Sequence, residues 1–148
     1  MFTYMANVLA VTLLSVATST APAHAPTIES SAADSVVANG SFIRIDRSYW
    51  ARGEATIVQE GDAFFLEFGP EFEVRQGPDL RILVSSHSNP DSADELGDYT
   101  ELAPLQSNEG NQRYRIPDSV DVTEVGSVVI FCKPYQVIFS TATITPVS

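Results

Sequence analysis

The sequence predicts an all-β protein, an antiparallel β-sandwich or barrel of about eight to nine short strands. Three observations predict this class. Apolar and polar residues alternate over short runs, and Gly, Pro, Asn and Asp separate these runs. Outside the amino-terminal segment, no window keeps a helical period. Short strands at close spacing are typical of sandwiches and barrels. A length of 148 residues supports one domain.

The predicted strands follow one another from Asn39 towards the end of the chain. The apolar residues that share a strand face in successive runs are Ile43 and Ile45; Ala55 and Ile57; Phe64, Leu66 and Phe68; Phe72 and Val74; Leu80, Ile82 and Val84; Tyr114 and Ile116; Val128, Ile130 and Cys132; and Tyr135, Val137 and Phe139. The polar stretch 85–100 predicts a long surface loop. Lys133-Pro134 ends the penultimate run, because proline cannot donate a ladder hydrogen bond.

The first 38 residues differ in composition from the rest. Residues 1–25 are predicted to be a signal peptide, because the apolar run 8–17 precedes small-residue cleavage patterns. Cleavage after Ala23 is favoured, since cleavage after Ala25 would leave Pro26 next to the cut. The lack of Lys or Arg before the apolar run leaves an uncleaved anchor or a mispredicted start as alternatives.

The small, polar segment 26–38 predicts a flexible linker, and 39–148 form the β domain. We therefore expect an exported protein (periplasmic, secreted or cell-surface) without stable membrane insertion after signal removal.

The charge balance excludes one class of partner. The chain has 19 acidic and 8 basic residues and a formal net charge of −11. Nucleic acid is a poor partner, because binding to its phosphates needs clustered Lys or Arg. The basic residues are scattered along the sequence, so no basic patch is predicted. We expect a protein partner, for example a redox partner, whose identity the sequence does not specify.

Cys132 is the main candidate functional residue. It is the only cysteine, so an intramolecular disulfide is impossible. Three interpretations stay open: a small buried hydrophobic residue, a redox-active or cofactor-ligating thiol, and an intermolecular disulfide. Lys133 follows directly, but adjacent side chains on a strand point to opposite faces, so its ammonium is not expected to activate the thiol.

The remaining chemistry-bearing residues do not form a recognisable site. His87 is the only histidine outside the amino-terminal segment, so one His and one Cys fall short of a zinc site, and no nucleophile-elbow pattern accompanies it. The acidic residues of the polar stretch do not match an EF-hand and predict a solvated loop; they are Asp91, Asp94, Glu95 and Asp98. We predict no metal site, and an accessory protein rather than an enzyme on its own.

Several segments resemble the DM-thirteen domain, a family often attached to haem- or sugar-binding domains in animal cell-surface proteins and also found in exported microbial proteins. The segments that match, in order, are 40–42, 53–55, 77–80, 102–105, 110–117, 127–133 and 137–139, with Ala142. Together they extend over nearly the whole predicted domain. Each is weakly specific, whereas the ordered set is fairly specific.

The resemblance implies a candidate electron-transfer module. The family's signature cysteine, proposed to act as a bare thiol or to bind haem, corresponds to Cys132. Two departures affect its surroundings: Phe131 stands where the family commonly has Trp, and Ser140 stands where Gly is usual. The sequence nominates no second haem ligand, so haem is implied by the resemblance alone and the cofactor is otherwise unknown.

Two functions therefore stay open. The first is an exported redox or electron-transfer accessory module that uses Cys132 as a reacting or cofactor-ligating thiol. The second is a non-catalytic binding or adhesion module whose loops hold a protein or glycan partner and whose cysteine is purely structural.

Overall fold

The computed structural model describes residues 34–148, which fold into an open two-sheet β-sandwich. The predicted all-β antiparallel class is confirmed, and the sheets do not close into a barrel. The described strands are β1 (Ser35–Ser41), β2 (Ala51–Arg52), β3 (Glu54–Glu60), β4 (Ala63–Phe68), β5 (Glu73–Val74), β6 (Leu80–Ser85), β7 (Tyr99–Pro104), β8 (Gln112–Ile116), β9 (Ser127–Cys132), β10 (Val137–Thr143) and β11 (Thr145–Pro146). The described strands that the sequence did not predict are β1, β2, β7 and β11. The predicted strand with Ile43 and Ile45 was wrong: both residues lie between β1 and β2, and Ile43 is 43% exposed. The helices of the described range are two 3-10 turns, Ala93–Glu95 and Val122–Glu124.

The strands form two larger sheets and a small ribbon. The first sheet has the order β11-β1-β3-β4-β8, the second has the order β10-β9-β6-β7, and β2 pairs with β5 in the ribbon. All pairs are antiparallel. Short hairpins join β3 to β4 and β9 to β10, and the longer segment 86–98 joins the paired strands β6 and β7. The other connections cross between the sheets or to and from the ribbon.

The main core lies between the inner faces of the two sheets. Ile57 and Leu66 of the first sheet and Ile82 and Ile130 of the second are completely buried. The rings of Phe42, Phe68 and Phe72 pack together at this interface, with centroids 4.4–5.5 Å apart. The core residues that lie in strands occupy every second position, so alternation places them on one face. The predicted faces of β3, β4, β6 and β9 are therefore confirmed.

A second, smaller cluster covers the outer face of the second sheet. It contains Leu83, Val129, Phe131 and Ile138 from the strands and Leu96 from the segment 86–98. The surface loop was predicted over 85–100, but Ser85 ends β6 and residues 99–100 begin β7. Most residues of 86–98 are exposed, but Leu96 and Pro90 are buried because the segment folds back over the sheet. Strand β9 is consequently buried on both faces.

Buried hydroxyl groups attach this segment to the second sheet. Thr141 Oγ1 donates to the carbonyl of Pro90 (2.7 Å), and Ser127 Oγ donates to the carbonyl of His87 (2.6 Å). Ser85 Oγ donates to the carbonyl of Leu96 (2.6 Å). Each bond satisfies a carbonyl that would otherwise be shielded from water without a partner.

The predicted linker 26–38 ends too late. Strand β1 begins at Ser35 and pairs with β3 from Ser35↔Gln59 onwards, so residues 35–38 belong to the first sheet. Ala38 is buried in the main core, which explains why this part of the segment is ordered into a strand. The predicted signal peptide 1–25 and the rest of the linker lie outside the described residues, apart from Asp34. Within 34–148 no helix has the length and apolar character needed to cross a membrane.

Candidate functional site

Cys132 is the last residue of β9, at one end of the second sheet. It pairs with Leu80 of β6 on one side and with Val137 of β10 on the other. Val128, Ile130 and Cys132 all join the main core, whereas Phe131 points to the outer cluster. The face predicted for Cys132 is therefore confirmed, and its sulfur is directed into the sandwich by the alternation of the strand.

The thiol of Cys132 is completely buried, with 0% of the residue exposed. Its Sγ donates to the carbonyl oxygen of Pro78 at 3.2 Å. Pro78 belongs to the sequence Gly77-Pro78-Asp79, called here the 77–79 turn, which immediately precedes β6. A thiol is a weak donor, so this bond positions the sulfur more than it stabilises the fold. The 77–79 turn thus lies directly against the sulfur at the end of the sheet.

The 77–79 turn has an unusual backbone at Asp79. Its φ angle of 47° lies in the left-handed region, which residues other than Gly, Asn and Asp rarely adopt. The carbonyl of Asp79 accepts a hydrogen bond from the backbone N–H of Lys133 at 3.2 Å. The turn is thus attached directly to the residue that follows Cys132.

A chain of charged side chains fixes the turn from the solvent side. Arg81 donates to the Asp79 carboxylate through Nε at 2.7 Å and to Glu101 at 2.9 Å, and Lys133 Nζ lies 3.4 Å from Glu101. The hydrogen bond from Arg81 lowers the pKa of Asp79; desolvation opposes this shift, and the charges of Arg81 and Lys133 support it. The ammonium of Lys133 is therefore paired with Glu101, as expected for a side chain on the other face from the thiol.

An aromatic contact holds the opposite side of the turn. A Cβ atom at Gly77 would lie 2.6 Å from Cζ of Phe139, so only glycine fits against this ring. The Phe139 ring packs in turn on Tyr49, with centroids 4.9 Å apart. Phe139 occupies the irregularity between Ile138 and Ser140, where the register of β10 against β9 shifts. This bulge turns Phe139 towards the main core.

A small depression of about 210 Å³ lies beside the turn. Its lining includes Gly77, Asp79, Leu80, Leu105 and Asn108. The Asn108 Nδ2 atom is buried and has no hydrogen-bond partner among the described residues. Such a donor is normally satisfied by an ordered water molecule.

The surroundings of Cys132 do not fit a haem in this conformation. The sulfur is fully buried in the main core and bonded to Pro78, so an iron atom could reach it only after the surrounding structure was displaced. The depression beside the turn is smaller than the cavities of about 300–1,000 Å³ that hold small ligands. No step through a haem is therefore derived.

The two family departures lie away from the sulfur's hydrogen bond. Phe131 packs in the outer cluster. Ser140 is buried, and its Oγ donates to the carbonyl of Ile43 at 2.5 Å. The hydroxyl of Ser140 thus ties β10 to the residues that follow β1, a bond that a glycine could not make.

The other candidate residues of the sequence are not brought together at Cys132. His87 is exposed, and its ring lies near Gly97, where a Cβ would be 2.7 Å away. The acidic residues of 86–98 remain on the surface, where Glu95 accepts a hydrogen bond from the backbone N–H of Asp91. Within residues 34–148, no three His, Cys, Asp or Glu side chains are placed to share a metal ion.

Sequence reasoning missed the contribution of the 77–79 turn to the site. The turn was identified only as part of the family-matching segment 77–80, with no role at Cys132, and Arg81 and Glu101 were not singled out. Pro78 and Cys132 are 54 positions apart, so no local pattern links them. One signal was available: 77–79 precede one strand and Cys132 ends another. The antiparallel pairing of these strands, β6 and β9, places the two segments side by side.

Comparisons with known proteins identify one family. A family model described as "Electron transfer DM13" matches residues 42–144, more than half of the chain. The match includes the 77–79 turn, Arg81, Glu101 and Cys132. No curated protein and no solved structure matches the chain.

Proposed function

Because the chain belongs to the DM13 family of electron-transfer domains, we propose that it is an exported redox accessory module whose reacting group is the Cys132 thiol. In this proposal the 77–79 turn shields the thiol in the free protein. A partner protein reaches the thiol by displacing the turn. The observation that supports the proposal is the direct Sγ–Pro78 contact, which places one short turn against the sulfur.

The proposed reaction is thiol–disulfide exchange with a disulfide of the partner. Cys132 loses its proton to solvent, and its sulfur attacks one partner sulfur. A new Cys132–partner S–S bond forms while the partner's own S–S bond breaks, and the second partner sulfur leaves as a thiolate. Formally, the Cys132 sulfur loses one electron and the leaving sulfur gains one. The chain is thus proposed to act with a redox partner and not as an enzyme on its own.

Two features of the site support a turn that opens locally. Asp79 adopts a left-handed backbone, which costs a non-glycine residue conformational energy. The side-chain bonds that fix the turn from outside involve exposed or partly exposed groups, and such ion pairs contribute little free energy. Strands β6 and β9 below the turn are buried and fully paired. Opening is therefore expected to be confined to residues 77–79.

The test is the reaction rate of Cys132 with an aromatic disulfide reagent over a series of urea concentrations. Local opening predicts a rate that is almost independent of urea at low concentration, because little surface is exposed. Global unfolding predicts a rate that rises with the full denaturant dependence of unfolding. If the labelling rate shows the full denaturant dependence of global unfolding at every urea concentration, including the lowest, Cys132 is a structural thiol and the redox proposal fails.

Export is the second untested part of this proposal. It is supported by the apolar run 8–17 followed by small residues. Expression of the full chain, followed by fractionation and intact-mass measurement, tests it. A mature protein that begins after Ala23 or Ala25 outside the cytoplasm is expected, and an intact chain retained in the cytoplasm would contradict it.

A binding or adhesion module with a structural cysteine is the second candidate function. The complete burial of Cys132 and its membership of the main core favour it. In this case a Cys132→Ala variant that still folds would keep full partner binding. If the Cys132→Ala variant still binds the partner but no longer reduces or oxidises it, the result would instead support the redox proposal.

A further inference from the structure

The basic residues of this acidic protein divide into two groups. Five of the eight form ion pairs with carboxylates of the described residues; these are Arg52, Arg81, Arg113, Arg115 and Lys133. Arg44, Arg47 and Arg75 form no ion pair with any residue in 34–148, and all three are exposed. The unpaired positive charge is therefore confined to three arginines.

The fold brings two of these arginines to either side of Trp50. Arg44 and Trp50 form an isolated antiparallel bridge. On the other side of Trp50, the backbone N–H of Arg75 donates to the Trp50 carbonyl at 3.1 Å, which continues the β2–β5 register by one residue beyond Ala51↔Val74. Directly opposed residues point to the same face, with Cβ atoms about 4.5–5.5 Å apart. Arg44, Trp50 and Arg75 thus form one row, called here the Arg–Trp–Arg row.

Strand alternation places this row on the outer face of the ribbon. Ala51 and Val74 are buried in the main core, so Trp50 and Arg75, each one position away, project to the opposite side. Trp50 is partly exposed. Arg47 lies in the turn that links Arg44 to Trp50, and the turn's carboxylate, Asp46, accepts hydrogen bonds from the N–H groups of Ser48 and Tyr49.

The neighbouring row of the ribbon has a different charge pattern. Two positions along the ribbon and on the same face, Glu73 is paired with Arg52, and Glu109 forms an isolated bridge with Glu73. Neither carboxylate forms an ion pair with Arg44 or Arg75 among the described residues. The Arg–Trp–Arg row is therefore an aromatic ring flanked by two available guanidinium groups, on a chain of net charge −11.

We propose that the Arg–Trp–Arg row is a docking surface for an acidic segment of a partner protein, with an apolar side chain of the partner against Trp50 and carboxylates on Arg44 and Arg75. Trp and Arg are the residues most enriched at protein–protein hot spots. The net negative charge of the chain disfavours long polyanions such as nucleic acid, whereas a short acidic segment needs only the local charge. The proposal does not depend on the reactivity of Cys132.

The test uses Trp50 as its own reporter, because it is the only tryptophan of the chain. The probe is a synthetic peptide with three Glu residues on each side of a Leu, and the control peptide has Gln at every Glu. The Glu peptide is expected to change Trp50 fluorescence saturably below about 1 mM, with a Kd that rises with salt. An equal response to the Gln peptide, or none to the Glu peptide, would overturn the proposal.

A matched pair of variants locates the binding. The double variant Arg44→Gln/Arg75→Gln is expected to raise Kd about tenfold. Arg115→Gln removes an exposed arginine from β8 and is expected to change Kd less than about twofold. Equal increases of Kd in both variants would mean that the peptide is attracted by general electrostatics without a defined binding site, and would overturn the proposal. Self-association of the free protein that disappears in the double variant would overturn it in favour of a second copy as occupant.

Discussion

At the scale of single residues, Cys132 is a small core residue with one polar contact. Its side chain is enclosed by strand partners and the 77–79 turn, and its Sγ bonds to Pro78. Dense packing makes the loss of even one atom of this size measurable. The chemical role of the sulfur and its packing role can therefore be separated only by measuring stability and reactivity together.

Replacement of Cys132 by Ala is expected to lower the free energy of unfolding by about 1–3 kcal/mol, because it leaves a cavity and an unpaired carbonyl at Pro78. Urea denaturation measures this loss. Val147→Ala, at a half-exposed position near the carboxyl terminus, is the control and is expected to change stability by less than about 0.5 kcal/mol. Equal, small effects of the two substitutions would contradict the tight packing of the sulfur.

Asp79 is expected to make stability depend on pH through its lowered pKa. Its ordinary pKa is 3.8, and the folded protein holds it below this value through Arg81. A lowered pKa stabilises the fold at pH values above 3.8, and this contribution is lost as the pH falls through the folded-state pKa.

The variant Asp79→Asn isolates this charge, because Asn also tolerates the left-handed backbone. The difference in unfolding free energy between the two proteins is expected to be largest near neutral pH, to shrink below 3.8 and to vanish at lower pH. Urea denaturation over a pH series measures it. A difference that is constant over this range would show that the carboxylate makes no contribution through its charge.

At the scale of elements, the 77–79 turn depends on the absence of a side chain at Gly77. A methyl group there would overlap the Phe139 ring, which is itself packed on Tyr49. Gly77→Ala is therefore expected to cost about 1–3 kcal/mol and to accelerate labelling of Cys132, since the turn must shift. Gly69→Ala, which has open space around its Cβ and an ordinary φ, is the matched control. If both glycine variants label at the wild-type rate, the turn is not the cover of the sulfur.

The segment 86–98 is an element that depends on the second sheet. Thr141 is completely buried and donates to Pro90. Thr141→Val keeps the shape but leaves that carbonyl without a partner, so a loss of about 1–3 kcal/mol and faster amide exchange in 86–98 are expected. The exposed Thr145→Val in β11 should change neither measurement. Unchanged exchange in the Thr141 variant would mean that Leu96 alone retains the segment.

Alternation predicted the core-facing residues of β3, β4, β6 and β9 correctly because it is a local property, but it was wrong at Ile43 and Tyr135, which are exposed and lie outside the strands. Ile82 and Ile130 were assigned to the correct face from their neighbours alone, and both are fully buried. The covering of Cys132 by Pro78, the return of 86–98 over β9 and the row around Trp50 were not predicted. Each depends on contacts between residues distant in sequence, which periodicity cannot report. The late boundary of the linker has a different cause, since the short apolar run 36–38 directly follows a polar, small-residue stretch and its strand is stabilised by pairing with β3.

At the scale of the whole molecule, charge is distributed unevenly. Several basic residues lie close to carboxylates. One example is Arg113, whose guanidinium lies within 3.7 Å of Asp34, Glu60 and Glu67. Such exposed networks contribute little free energy. The acidic residues outnumber the basic ones, 19 to 8, so many carboxylates have no cation nearby and repel one another. We therefore expect self-repulsion to outweigh ion pairing in the folded protein at neutral pH.

This imbalance predicts that salt stabilises the protein. Raising NaCl from about 0.02 M to about 0.2 M shortens the Debye length from about 20 Å to about 7 Å, which screens long-range repulsion more than close ion pairs. The urea midpoint of unfolding is expected to rise with an unchanged denaturant slope, by an amount equivalent to about 1 kcal/mol. Urea is the suitable denaturant, because guanidinium is itself a salt. Glucose at the osmolality of the added NaCl is the control and should have a smaller effect. A midpoint that falls with salt would instead mean that the close pairs of Arg81 and Arg113 dominate the electrostatics of the fold.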